Sequence, residues 1–270
     1  MESKRKKELV LRITAGLIML PLAIYGIIYA HSHLFFCVVW ILSLLATYEF
    51  IKMVNKSDRF VFPKLIWLSS ILLPFSMFFG WEYFISAFFM LLFISFLLKM
   101  FSNNPTDNVL EDVSYCLISM LFIPFLFTFI SLIHMVSYQW VLFLCFIIWA
   151  SDTFAYFTGI SIGKTKLIPK VSPGKTVEGI IGGFIGAIIV ACIMNHYIIH
   201  GNWILVLIGA ILLIIVGIIG DLIESMLKRS SNIKDSGALI PGHGGILDRF
   251  DSLIIGAPIL YFYLQYSGLN

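Results

Sequence analysis

Nine long runs of mostly apolar residues dominate this chain, at 9–30, 34–53, 62–80, 83–100, 113–133, 138–158, 179–199, 203–223 and 251–267. A helix needs about 20 such residues to cross a ~30 Å hydrocarbon core, where it must satisfy its backbone polar groups internally. Barrel strands alternate over ~10 residues, and these runs are too long and too uniform for that. The composition agrees. With 60% apolar residues, 12% charged and a mean hydropathy of +0.97, too few charges remain to coat a soluble domain. The chain reads as an all-α polytopic membrane protein of about nine transmembrane helices. The first run follows Glu2–Lys7, exceeds the usual 7–15-residue apolar region of a signal peptide and has no A-x-A site after it, so it reads as a retained span.

The basic residues give an orientation. Lys4, Arg5, Lys6, Lys7 and Arg12, then Lys52, Lys56, Arg59 and Lys64, then Lys99 all fall on one side of this nine-span scheme. Lys164, Lys166, Lys170 and Lys175, and finally Lys228, Arg229, Lys234 and Arg249, fall on that side too. That is every one of the 18 Lys and Arg residues, which the positive-inside rule assigns to the cytoplasm together with the N-terminus. The opposite loops hold His31, His33, His134 and His200, read as solvated or interfacial histidines. Cys37, Cys116, Cys145 and Cys192 lie singly in apolar runs and read as small buried hydrophobes. Asn103-Asn104-Pro105 marks a seam between spans one to four (1–104) and spans five to nine (105–270).

The two halves differ in their acids. Glu2, Glu8, Glu49, Asp58, Glu82, Asp107, Glu111 and Asp112 lie in loops or at span ends, where water is expected to solvate them. Asp152, Asp221, Glu224 and Asp251 lie within or bordering apolar runs of the second half, all toward the cytoplasmic side. A carboxylate at membrane depth costs at least ~2.5 kcal/mol near the centre and marks a functional site by default. Two cytoplasmic loops, 159–178 and 224–250, adjoin these acids and mix Lys and Arg with Gly, Ser and Thr. That mixture suits phosphate, since backbone N–H groups and cations both meet anionic oxygen. Neighbouring carboxylates suit Mg²⁺, which takes one or two of them together with phosphate oxygens. Plainer readings stand beside these. The Lys164–Lys175 loop can simply touch anionic headgroups, Gly242-His243-Gly244-Gly245 can be an ordinary turn, and Asp248 and Asp251 can be helix-start acids. Gly159-x-x-x-Gly163-Lys164-Thr165 is one residue short of a P-loop and follows a membrane span rather than a strand.

A resemblance separates these readings. The stretch Ser225-x-Leu227-Lys228-Arg229-x₄-Lys234-Asp235-x-Gly237-x₂-Ile240-Pro241-Gly242-His243-Gly244-Gly245-x-Leu247-Asp248-Arg249-Phe250-Asp251 resembles the signature of phosphatidate cytidylyltransferases (CDP-diacylglycerol synthases). Asp152-Thr-x-Ala-Tyr156, Gly163-Lys164 and Ser172-Pro-Gly-Lys-Thr-x-Glu-Gly179 are similar to that family as well. The match covers roughly 152–251, and the first half matches only in hydrophobic character.

The resemblance implies that CTP and phosphatidate give CDP-diacylglycerol and pyrophosphate, with dependence on Mg²⁺ and room for a second cation. The attacking phosphate is already ionised at neutral pH, so no side-chain nucleophile is needed; charge repulsion is the obstacle, which bound metal relieves. On this basis Asp221, Asp248 and Asp251 are the expected metal ligands, with Asp152 and Asp251 beside the reaction. Lys175, Lys228 and Arg229 are expected to serve catalysis and phosphate binding. Lys164, Ser172, Thr176, Lys234, Gly242, His243, Gly244, Gly245 and Arg249 are the further substrate-binding candidates. The expected partners are CTP, phosphatidate and membrane lipid, with no nucleic acid and a homodimer as the candidate assembly. The expected location is the cytoplasmic membrane of a prokaryote, with the site on its cytoplasmic face. A transporter would carry acids across to both faces, often in repeated halves, whereas here the external side offers only Glu82. A CTP-dependent polyprenol kinase and an archaeal-type ether-lipid cytidylyltransferase remain the closer alternatives.

Overall fold

The computed structural model describes residues 2–55, 62–231, 233, 236, 237, 239 and 244–269, with side chains from residue 16 onward except that of Asn55. Lys56, Arg59, Lys234, Gly242 and His243 lie outside the described residues. Among those described, the chain forms nine continuous helices: α1 (Glu2–Tyr29), α2 (Ser32–Asn55), α3 (Pro63–Phe79), α4 (Trp81–Met100), α5 (Val109–Val136), α6 (Tyr138–Ile162), α7 (Val177–Ile199), α8 (Trp203–Ser230) and α9 (Leu247–Ser267). Six of them (α2 and α4 to α8) are long and apolar enough to cross a membrane. In α1 and α3 the apolar helix is shorter, Gly16–Tyr29 and Pro63–Phe79, and α9 carries Asp248, Arg249 and Asp251 in its first turns. Among the described residues, the two strands form an antiparallel hairpin, β1 (Lys166–Ile168) and β2 (Ser172–Thr176), with Lys166 opposite Thr176 and Ile168 opposite Ser172.

Local chemistry sets the helix ends. Pro63 opens α3 at a position where a missing N–H costs nothing. Ser137, Thr176 and Asn202 cap α6, α7 and α8, their side-chain oxygens accepting from the first exposed amides. Between α7 and α8 the chain turns at His200, which has a φ of 55°, and the Asn195 side chain ties down Gly201 by accepting from its N–H and donating to its carbonyl.

Packing is tightest between α6 and α7, where glycines remove the bulk that would keep the helices apart. The Gly179-x-x-x-Gly183 and Gly182-x-x-x-Gly186 pairs line this contact: Gly179 and Gly183 face Ala155 and Ser151, and Gly182 and Gly186 face Thr158 and Phe154. A Cβ on Gly183 would stand 2.6 Å from the Ser151 carbonyl oxygen, a backbone atom that cannot step aside. Gly183→Val is therefore expected to lower the melting temperature of the detergent-solubilised protein by several degrees, since overpacking costs about 1–3 kcal/mol. An unchanged melting curve would mean that the helices separate freely. On the other side, Gly220 lets α8 meet α9, because its Cβ would stand 3.1 Å from both the Asp251 carbonyl oxygen and Ser252 Cα. Helix α2 packs on α5 and α9, so one apolar core joins residues from both halves, including Phe50, Leu73, Phe127, Leu213 and Ile254.

Three expectations change. Glu49 is 1% exposed and Asp112 3% exposed, so neither is solvated. A helix position near a span end is open only if no neighbouring segment covers it: Asp112 meets Lys99 Nζ at 2.6 Å, and Glu49 is covered by the segment before α9. His134 is likewise buried, its ring stacked on Phe35 and its Nε2 2.9 Å from the Ile27 carbonyl oxygen. The loops are shorter than expected because α6 runs to Ile162 and α8 to Ser230. Helix does not stop where apolarity stops, and Lys228 and Arg229 in the last turn of α8 favour the negative end of its dipole.

Candidate functional site

The C-terminal end of α8 and the N-terminal end of α9 build the centre of the site. Asp221 and Glu224, three apart, share one face of α8; Asp251 faces them from α9 across the contact that Gly220 permits. One carboxylate oxygen from each of the three lies within 4.8 Å of the other two. At that distance two full negative charges repel by roughly 3–4 kcal/mol at an effective dielectric of 20, so the group needs cations. Lys175, from β2, places its Nζ 2.5 Å from an Asp221 oxygen. Lys228 pairs with Glu224 one turn before it and with Asp248 at 2.8 Å. Asp152 on α6 interacts electrostatically with Asp221, Asp251 and Lys175.

Asp248 stands apart from the three. Its carboxylate accepts from the backbone N–H of Ser236 and of Gly245 as well as from Lys228. Burial works against its ionisation, but Lys228 and those two amides outweigh burial and hold the carboxyl down at about 2. Asp248 thereby ties the backbone of Ser236 and Gly245 to the first turn of α9. The sequence put Asp221, Asp248 and Asp251 forward as metal ligands; among the described residues, the carboxylates that lie together are those of Asp221, Asp251 and Glu224. Glu224 was the residue sequence reasoning left without a role. Its signal was the Asp221-x-x-Glu224 spacing on a helix already identified.

The remaining residues divide by location. Thr176 is buried and its hydroxyl accepts from Gly179 N–H as the cap of α7. Ser172 lies half-buried at the start of β2. Lys164, Arg229 and Arg249 have exposed side chains near the same end of the bundle. Glu178, in the first turn of α7, accepts from the amides of Lys164 and Thr165 and from the Thr165 hydroxyl, and so fixes the turn that presents Lys164. Gly244 has a φ of 84°, a conformation that glycine adopts without strain, and Gly245 is buried.

The donor set fits a divalent cation. It is all oxygen, which Mg²⁺ prefers, and Glu224 Oε1 is buried without a hydrogen-bond partner among the described residues. Among the described residues, five carboxylates (Asp152, Asp221, Glu224, Asp248 and Asp251) gather around two ammonium groups, those of Lys175 and Lys228. The surplus is negative.

An all-helical membrane protein with carboxylates and lysines gathered at one end of its bundle belongs to the class of intramembrane enzymes or ion carriers that handle charge at a membrane face. The particular family follows from comparison with known proteins: residues 10–267 match the model of the cytidylyltransferase family, and the chain belongs to it. It is similar to the phosphatidate cytidylyltransferase of Bacillus subtilis, at 41% identity over 158 residues, 57% of this chain and 59% of that protein. The corresponding protein of Haemophilus influenzae is 49% identical over 131 residues, covering 45% of this chain and 44% of its own length. That of Staphylococcus aureus strain COL is 40% identical over 157 residues, or 58% and 60%. The matched stretches thus span less than two thirds of the length of these relatives.

Proposed function

We propose that this protein transfers the cytidylyl group of CTP to phosphatidate, releasing pyrophosphate and leaving CDP-diacylglycerol in the membrane. The observation that carries this reading is the Asp221, Glu224 and Asp251 group, flanked by Lys175 and Lys228, in a chain of the cytidylyltransferase family. The phosphate oxygen of phosphatidate attacks the α-phosphorus of CTP, and the bond to the pyrophosphate oxygen breaks. That oxygen is already anionic, so no residue is needed to remove a proton from it. Asp221, Glu224 and Asp251 would hold Mg²⁺, which when bound neutralises phosphate charge and polarises the phosphoryl group. Lys175, which pairs with Asp221, would meet a phosphate oxygen of the substrate beside it. Lys164 and Arg229 offer exposed cationic heads to the triphosphate, and Asp248 holds Ser236 and Gly245 in place. Lipid tails would lie among the apolar helices and CTP would arrive from the cytoplasm; the gathering of Lys and Arg in the loops on that side supports a site on the cytoplasmic face.

The test is to incubate the purified protein with phosphatidate, Mg²⁺ and CTP labelled either at the α- or at the γ-phosphate. Label from the α-position in lipid, with unlabelled lipid from the γ-form and free pyrophosphate, is the expected result. Label from the γ-position in a lipid would identify a CTP-dependent kinase instead. Substituting Lys175→Gln is expected to cut turnover tenfold or more, because a hydrogen bond to a charged group contributes about 1.5–3 kcal/mol. Turnover within a factor of two would leave Lys175 as a headgroup-facing charge. Orientation is checked separately: a cysteine at Asn202 is expected to react with an impermeant reagent outside intact cells, and one at Ser231 only after the membrane is opened. The reverse pattern would put the site outside.

A further inference from the structure

We infer that Glu49, in the N-terminal half of the chain, is a positioning residue for Ser236, Gly237 and Gly245 and for Leu247, the first residue of α9. The acids of that half carry no role in the reading above, yet Glu49 reaches across from α2 to residues almost two hundred positions later. Its carboxylate accepts from Leu247 N–H at 3.0 Å and stands 3.4 Å from Ser236 Oγ. It is 1% exposed, so water does not compete for these bonds. Gly237 and Gly245 leave room for it. A Cβ on Gly237 would collide with the Glu49 carboxylate before any other group, and one on Gly245 would collide with Ser236 Oγ and Glu49. The same stretch is held from the other side by Asp248, which takes the amides of Ser236 and Gly245. Two carboxylates, one from each half of the protein, therefore converge on Ser236, and between them they also hold the backbone of Gly245 and Leu247. Glu49 fixes where α9 begins, and through that where Asp251 stands relative to Asp221. The consequence for turnover rests on the proposed cytidylyl transfer; the grip itself does not.

The experiment uses the full-length protein in detergent, with amide hydrogen exchange read for peptides spanning 236–247 and turnover read as kcat and KM for CTP. Glu49→Ala is expected to speed exchange in that segment tenfold or more while peptides of α6 and α7 keep their protection. The expected fall in kcat/KM is likewise tenfold or more, and Glu49→Gln, which retains an acceptor oxygen, should recover most of both. Gly237→Ala is expected to loosen the segment in the native background, and to add little in the Glu49→Ala background, where the colliding carboxylate is gone. Exchange that stays slow in Glu49→Ala overturns the inference whatever turnover does. So does a Gly237→Ala effect equally large with Glu49 absent; if Glu49→Ala fails to fold, Glu49→Asp, whose carboxylate is one methylene shorter, carries the test, and exchange in the segment as slow as in the native protein overturns the inference. Faster exchange with turnover intact would leave the grip of Glu49 standing, and would remove the segment from the proposed reaction.

Discussion

Asp221→Asn, Glu224→Gln and Asp251→Asn are each expected to lower the proposed cytidylyl transfer by about a hundredfold or more, with the protein still inserted and helical. The magnitude follows from the several kcal/mol that a bound metal contributes, each 1.36 kcal/mol being tenfold in rate. Amide replacement keeps size while removing charge. Removing two of the three should cost little more than removing one, because groups acting as a unit are non-additive. A readout independent of turnover accompanies this. Adding Mg²⁺ should raise the melting temperature of the native protein, since a ligand that binds only the folded state stabilises it. That rise should vanish in all three variants, while their metal-free forms should melt no lower than the native one, relieved of repulsion within 4.8 Å. Asp248→Asn separates the two possible ligand sets. If Asp248 fastens the backbone of Ser236 and Gly245, its substitution destabilises the protein and leaves the Mg²⁺ concentration needed for half-maximal effect unchanged. A large increase in that concentration for Asp248→Asn, with none for Glu224→Gln, would restore Asp248 as a ligand and dismiss Glu224.

Lys228→Met is expected to be the most destabilising single change at this site, by about 3–5 kcal/mol, the usual consequence of leaving a buried charge without its partner. Lys228 serves two carboxylates at once, Glu224 and Asp248, whose side chains are 1% and 8% exposed. Methionine preserves the length of the aliphatic stem, so the loss isolates charge from packing. For a chain of this size the melting temperature should fall by roughly 6–20 °C. Millimolar Mg²⁺ should recover part of the fall, because the ion compensates Glu224 but does nothing for Asp248. A fall of less than two degrees would show that both carboxylates are neutral or solvated without Lys228, and the electrostatic account of the site would fail with it.

Much of this was legible in the linear chain because membrane insertion is governed by local quantities. Length and apolarity of a segment decide whether it can cross, and six of the nine expected runs form helices that meet both criteria. The acids at 152, 221, 224 and 251 were conspicuous for the same reason: a charge in an apolar run is costly wherever the rest of the chain goes. The stretch from Ser225 to Asp251 carried the family resemblance residue by residue, and the family match over residues 10–267 agrees with it.

What only the tertiary structure decided is which charges meet. Asp248 and Asp251 sit three apart on α9, yet one turns to the amides of Ser236 and Gly245 and the other toward Asp221 and Glu224, a division set by where Gly220 lets α8 approach. Glu49 looked like an acid at a span end, and it is buried because a segment two hundred residues away folds over it. Hydrophobic runs are a property of neighbours in sequence, and they state what each helix can do in lipid. Hydrogen bonds and ion pairs act over about 3 Å between groups from different helices, so their pairing exists only once the bundle has packed.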